Sequence, residues 1–256
     1  MEERWSSKRV GWLLSLVLHG ALLLAPQAQA KDVTIGAGSF GPYYMPETNS
    51  GIFPDIITAV FHEMPGFEPK YEFGNGVLDS LRRYQAGRVE ALSNLFDSMD
   101  AKGCRSDPVF RFSDVAISKR KDKRRVDSFA DLEGLSIVAF DGAKGFFGEE
   151  YTRYTQSGRY LEVDKQALQP RLLLSDRYDV NIGDLYIFLY GLQKITSAKV
   201  APDEFQVHAL FPAISTRMGF HDESLCPLFN AALTKVKASG EYELIYHRYL
   251  EKLNQP

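Results

Sequence analysis

The most constraining feature of the chain is a β/α pattern that occurs twice. "DVTIGAG" at 32–38 and "LSIVAFDG" at 135–142 are short β-branched runs that end in a glycine turn. Later in each half come a helix-like segment, a polar break and a further strand. In the first half this is "VLDSLRRYQAGRVEALSNLF" at 77–96, where Leu78, Leu81 and Tyr84 recur at helical spacing and Gly87 stops the helix. In the second half it is "RLLLSDRYDVNIGDLYIFLY" at 171–190. "GRVEALSN" and "DRYDVNIG" share one form: break, Arg, bulky residue, acid, strand. Two such units imply two similar lobes, each a mostly parallel sheet flanked by helices.

Sheets of this kind bind ligands outside the carboxyl ends of their strands. Asp179 and its counterpart Glu90 stand where a strand begins and read as structural acids at the helix-to-strand turn, with Arg177 or Arg88 nearby. Asp184 stands past the strand's far end. It is either a ligand-facing carboxylate or an N-cap for the next segment, and the two roles are compatible. Strand-like stretches at 107–122 and 205–220 flank the second unit. Two helices close the chain: one at 222–240 with Leu225, Leu228, Phe229, Leu233 and Val236 on one face, one at 241–253 with Tyr242, Ile245, Tyr246, Tyr249, Leu250 and Leu253. If these helices return to the first lobe, two strands cross between the lobes, making a hinge with a cleft beside it. The expected division is 31–115 and 213–256 for the first lobe and 116–212 for the second.

The first 30 residues stand apart. A basic start with Arg4, Lys8 and Arg9, an apolar run of about 16 residues, and small residues at Ala28 and Ala30 read as a cleavable secretory signal, too short for the roughly 20 residues of a spanning helix. Cleavage after Ala30 leaves 226 of the 256 residues and a net charge of −4, against −3 for the whole chain, since Arg4, Lys8, Arg9, Glu2 and Glu3 are lost. That charge gives no general attraction to nucleic acid or anionic lipid, and the basic run "SKRKDKRR" at 118–125 reads as a solvated connection. The expected product is soluble and exported, with no stable membrane insertion. Cys104 and Cys226, the only cysteines, either pair in an oxidising compartment or stay separate thiols. His62, His208, His221 and His247 lack ligand spacing, so neither metal nor cofactor is expected.

Six segments in order resemble the bacterial extracellular solute-binding proteins of family 3, the type II periplasmic binding proteins of polar amino acid uptake. They are "GPYYMPETNSGIFPDII", "LRRYQAGRVEAL", "FRFSD", "FADLEGLSIVAFDGAKG", "DRYDVNIGD" and "LFNAALTKVKASGEYELIYHRYL", and the resemblance covers about residues 32–250. It implies a monomeric protein of the periplasm that closes its cleft on a small polar ligand, an amino acid or related compound, with an ABC-transporter permease or a sensor protein as partner. By position, Tyr43 would cover the ligand from the first lobe with Tyr44 beside it. The backbone N–H groups of Gly142, Ala143 and Lys144 would meet a ligand carboxylate at a helix start, and Asp184 would meet its ammonium group. The chain departs from the family pattern before "FRFS". There Ser98 is placed for the usual hydroxyl and Arg105, or alternatively Arg111, for the usual carboxylate-gripping arginine, and the accompanying Glu is absent. Two other readings stay open. One is a dehydratase-like enzyme of the same fold using a cleft acid such as Asp184 or Glu47; the other is an orphan sensing or interaction module.

Overall fold

The computed structural model describes residues 1–2, 30–74, 76–195 and 202–253. The expected signal segment therefore lies almost entirely outside the described residues. The elements, in chain order, are β1 (Lys31–Ala37), α1 (Ile52–His62), β2 (Phe67–Phe73), α2 (Val77–Gln85), β3 (Ala91–Leu95), β4 (Cys104–Arg105), β5 (Phe110–Phe112), β6 (Asp114–Lys119), β7 (Ile137–Phe140), α3 (Ala143–Tyr154), β8 (Tyr160–Val163), α4 (Gln169–Leu174), β9 (Val180–Asp184), α5 (Leu185–Ile195), β10 (Phe205–His208), β11 (Ile214–Phe220), α6 (Leu225–Ala238) and α7 (Glu241–Leu253).

The strands form two sheets. The first runs β2-β1-β3-β11-β4, with β5 also on β11; the second runs β10-β6-β9-β7-β8. Within each sheet the strands of the β/α units are parallel, β1 with β2 and β3, and β7 with β8 and β9. The strands that carry the chain between sheets are antiparallel: β11 against β3, β4 and β5, and β6 against β9 and β10. They run against the strands of the repeated units, so "mostly parallel" holds for the units and not for the crossings. The chain changes sheet at Ser113, between β5 and β6, and over residues 209–213, between β10 and β11.

α1, α6 and most of α7 cover the first sheet. Ile35, Phe53, Ile56, Phe110, Phe220, Phe229 and Ile245 lie in its core, each almost inaccessible to water. At about 1.5–3 kcal/mol per fully buried large apolar side chain, such clusters are the main cohesive term of each lobe. The second sheet has a core on each face. Ala139, Tyr151 and Ile182 lie under α3 on one side, and Ile117, Leu173 and Phe188 under α4 and α5 on the other. α7 belongs to both lobes. Tyr242, Ile245 and Tyr246 are buried in the first, whereas Leu253 is buried with Phe188 and Leu192 in the second.

Two helical stripes are rotated from the expected ones. In α2 the buried residues are Ser80 and Tyr84 while Leu78 is exposed. Hydrogen bonds set that rotation: Ser80 Oγ donates to the Ala37 carbonyl at 2.9 Å and the Tyr84 hydroxyl to that of Lys102 at 2.6 Å. In α6, Leu228 is exposed and Ala232 takes its place in the stripe with Leu225, Phe229, Leu233 and Val236. Cys104 of β4 and Cys226 of α6 form a disulfide across 122 residues of sequence. Asp179 is structural through Ser136, whose N–H and hydroxyl both donate to it, and through Arg124 rather than Arg177. Glu90 receives the Thr34 N–H at 2.9 Å, which ties β3 to β1.

Candidate functional site

The site is built at the carboxyl end of β9, where the chain passes from strand directly into helix. Asp184 is the last residue of β9 and is almost wholly buried. Its Oδ1 accepts the N–H groups of Tyr186 (2.8 Å) and Ile187 (3.0 Å), so it caps α5. Its Oδ2 accepts the Ser113 N–H at 2.7 Å and the Tyr43 hydroxyl at 3.0 Å. Four donors from three parts of the chain thus converge on one carboxylate: the α5 start, the crossing at Ser113 and the first lobe. Burial pushes the Asp184 carboxyl up to about 6 against the opposing pull of those donors. The Tyr43 hydroxyl is held well above its ordinary value by burial and by Asp184, so it donates.

A second carboxylate lies beside it. Asp114, the first residue of β6, stands directly opposite Asp184 in the antiparallel ladder, a pairing that puts β-carbons about 5 Å apart. Asp114 is half-buried, and no hydrogen-bond donor to its side chain is found among the described residues. Burial, then the charge of Asp184, raises it to about 7. It is the less satisfied member of the pair, and its environment suits an added positive group.

A cluster of aromatic rings reaches this position through Tyr43, whose hydroxyl bonds Asp184. Phe40, Tyr43, Phe53 and Phe112 pack together in the first lobe, with Tyr43 and Phe112 centroids 5.0 Å apart. Phe96 stacks on Phe112 at 6.0 Å and meets Phe146 of α3 edge-on at 5.4 Å. Phe146 in turn meets Phe140 at 5.7 Å. The series Phe112–Phe96–Phe146–Phe140 therefore bridges the lobes. Tyr190 of α5 makes a second bridge: its hydroxyl donates to Glu47 at 3.2 Å, and its ring lies so close to Gly41 that a β-carbon there would fall 2.3 Å from it.

The other sequence-derived candidates are placed as follows. The Tyr44 hydroxyl donates to Ser93 at 2.7 Å inside the first core, and burial pushes it above its ordinary range. Ser98 is exposed in the loop after β3. The Arg105 guanidinium is committed to the carbonyls of Phe96 (3.1 Å) and Met99, so it braces the loop that carries Phe96 and Ser98. Arg111 stacks over Tyr246 at 4.4 Å and Tyr242 at 5.2 Å and pairs with Glu243 at 3.0 Å on the outer side of the first lobe.

At the α3 start Ala143 is buried and Gly142 has φ 86°, the left-handed conformation that glycine favours. The N–H groups of Gly142 and Lys144 both donate to Glu162 of β8, at 2.8 and 3.0 Å. The Tyr160 hydroxyl adds a third bond to Glu162 at 2.9 Å, and Lys144 Nζ lies 4.1 Å from the Tyr160 ring centroid. These donors hold Glu162 below the usual carboxylate range despite its partial burial.

Asp114, Glu162, Phe96, Phe146 and Tyr190 were missed by sequence reasoning. Asp114 carried a usable signal, as the acid after Phe-Ser at the expected crossing; Glu162 carried none, because its role depends on the β7–β8 register. Among the described residues no group of three or more His, Cys, Asp or Glu side chains is placed to hold a metal, and no helix is long and apolar enough to cross a membrane.

No family model matches the sequence, and no curated protein matches it. Solved structures do match the fold. The GluR0 ligand-binding core complexed with L-glutamate is 14% identical, with 86% of this chain and 99% of that one aligned at a TM-score of 0.69. A mutant of ArgBP from T. maritima is 16% identical over 86% of this chain and 95% of that one, TM-score 0.66. The ancestral amino acid-binding protein AncCDT-1, described as a precursor of cyclohexadienyl dehydratase, is 15% identical over 85% and 95%, TM-score 0.67. Two sheets flanked by helices and joined by two crossings give this chain the two-lobed fold of the type II periplasmic binding proteins.

Proposed function

We propose that this chain is a solute-binding protein of the family 3 kind, which closes its two lobes on a small polar ligand carrying a positive group, an amino acid or related compound. The observation that carries this reading is the Asp114–Asp184 pair at the crossing between the lobes, with Asp114 short of donors. A cation entering there relieves like-charge repulsion and a desolvated carboxylate together. The surrounding rings offer apolar contact and cation–π attraction. Asp114 touches the ligand in this reading. Asp184 and Tyr43 hold the lobes and set the local charge, and Phe96, Phe112 and Phe146 form the walls. The signal-like first 30 residues support export to the periplasm, and either a permease or a sensor suits a protein that works by closure alone.

The test is a thermal-shift and calorimetric screen of the exported form with amino acids, polyamines and other organic cations. A true ligand raises the melting temperature by mass action. Its affinity should rise as pH rises through about 7, because the ionised form of Asp114 is the binding form, and Asp114→Asn should weaken it at least tenfold. Undiminished binding in that variant refutes the role of Asp114. One feature favours a second reading, an enzyme: a carboxyl raised to about 7 suits general acid–base work. Recovery of the bound compound unchanged after long incubation excludes it.

A further inference from the structure

The reading just given leaves the ligand's other end open, and the α3 start bears on it. The first turn of α3 faces the other lobe, since Phe146 meets Phe96 across the gap. Its N–H groups are natural anion donors, yet the chain itself fills two of them, those of Gly142 and Lys144. Glu162 takes the Gly142 and Lys144 N–H groups with its two oxygens and the Tyr160 hydroxyl besides. The nearby positive groups are committed as well. Lys144 lies over Tyr160, and Arg105 holds two backbone carbonyls.

The carboxyl edge of the second sheet therefore presents acids. Asp114 and Asp184 lie at adjoining strands, and Glu162 lies on β8, two strands beyond β9 in the order β6-β9-β7-β8. A ligand carboxylate entering here would find the Gly142 and Lys144 N–H groups already taken by a carboxylate. A ligand amine meets the charge it needs.

We infer that Glu162 is a built-in anion that determines specificity, so that the cleft selects organic amines lacking a carboxylate over the corresponding amino acids. The inference rests on the proposed cleft function. It assigns Glu162 a role through the α3 start: it bars a ligand carboxylate from donors it already occupies.

The experiment measures binding by calorimetry for three matched pairs that differ only by a carboxylate: agmatine and L-arginine, cadaverine and L-lysine, tyramine and L-tyrosine. Wild type is compared with Glu162→Ala, which frees the donors, and with Glu162→Gln, which keeps an acceptor and removes the charge. Circular dichroism and melting temperature check that each variant folds. The expected result is at least a tenfold preference of the wild type for the amine in one pair or more, reduced to less than about threefold in Glu162→Ala and partly reduced in Glu162→Gln, by relief of like-charge repulsion. An amino acid that binds wild type as tightly as its amine overturns the inference and leaves the cleft reading standing. A preference for the amine that survives both substitutions overturns the role of Glu162. Absence of binding by all six compounds overturns both the inference and the cation-binding cleft.

Discussion

Replacing Asp114 with Asn should stabilise the unliganded protein, and the gain should depend on pH. In the folded chain this carboxyl is raised from 3.8 to about 7 by burial and by Asp184. Between about pH 4 and pH 7 the folded state then holds more protons than the unfolded state, so stability falls as pH rises through that window. Three units at 1.36 kcal/mol each set a ceiling of about 4 kcal/mol. Asp114 is half-buried, and solvent screening reduces this to about 1–2 kcal/mol. For a chain of this size that is a rise in melting temperature of about 2–8 °C. Asn keeps the size and removes the charge, so the rise should be full near pH 8, clearly smaller near pH 4.5, where both carboxyls of the folded wild type are largely protonated, and absent only below about pH 4, where the unfolded carboxyl is protonated too. Scanning calorimetry of the two proteins without ligand, at both pH values, measures it. A variant that melts lower than wild type near pH 8, or that gains equally at both pH values, refutes the argument that an unfavourable charge pair is held at the crossing.

The remaining predictions concern what holds the lobes. Tyr43→Phe removes one donor to a buried carboxylate and should cost about 1.5–3 kcal/mol in urea unfolding; small-angle scattering should show a larger radius, and an unchanged stability and radius would remove Tyr43 as a link. The double variant Cys104→Ser/Cys226→Ser opens a loop of 122 residues and should lose about 4–5 kcal/mol in the chain-entropy account, with no further loss when a reductant is added; an equal response of both proteins to reductant would contradict the pairing. Leu253→Ala removes a buried side chain at the end of α7 and should cost about 2–4 kcal/mol; a loss under about 0.5 kcal/mol would show that the α7 end contributes little to the second core.

The division into two sheets was legible because the short β-branched runs at β1 and β7, each ending in a glycine turn, and the helix-like segments that follow them are local signals, and each half repeats them. α7 was legible for the same reason: its apolar residues follow one face over three turns. The rotations of α2 and α6 were not, because Leu78 and Leu228 have the right hydropathy and spacing and only tertiary hydrogen bonds and neighbours turn them outward. At the site, Asp184 was visible as an acid ending an apolar strand. That its four bonds are all internal depends on Ser113 and Tyr43, which lie 71 and 141 residues away in sequence. The two arginines were natural candidates by residue type, yet their partners are backbone carbonyls and an acid on the last helix, contacts that no spacing rule encodes.

The double allegiance of α7 changes what opening means for this molecule. With Tyr242 and Tyr246 seated in one body and Leu253 in the other, the lobes are not suspended from two strands alone. To widen the gap, the helix must either bend or withdraw its final turn from its socket. On the proposed binding role, ligand entry would wait on that release, and the association rate would scale with the fraction of molecules in which the turn has let go.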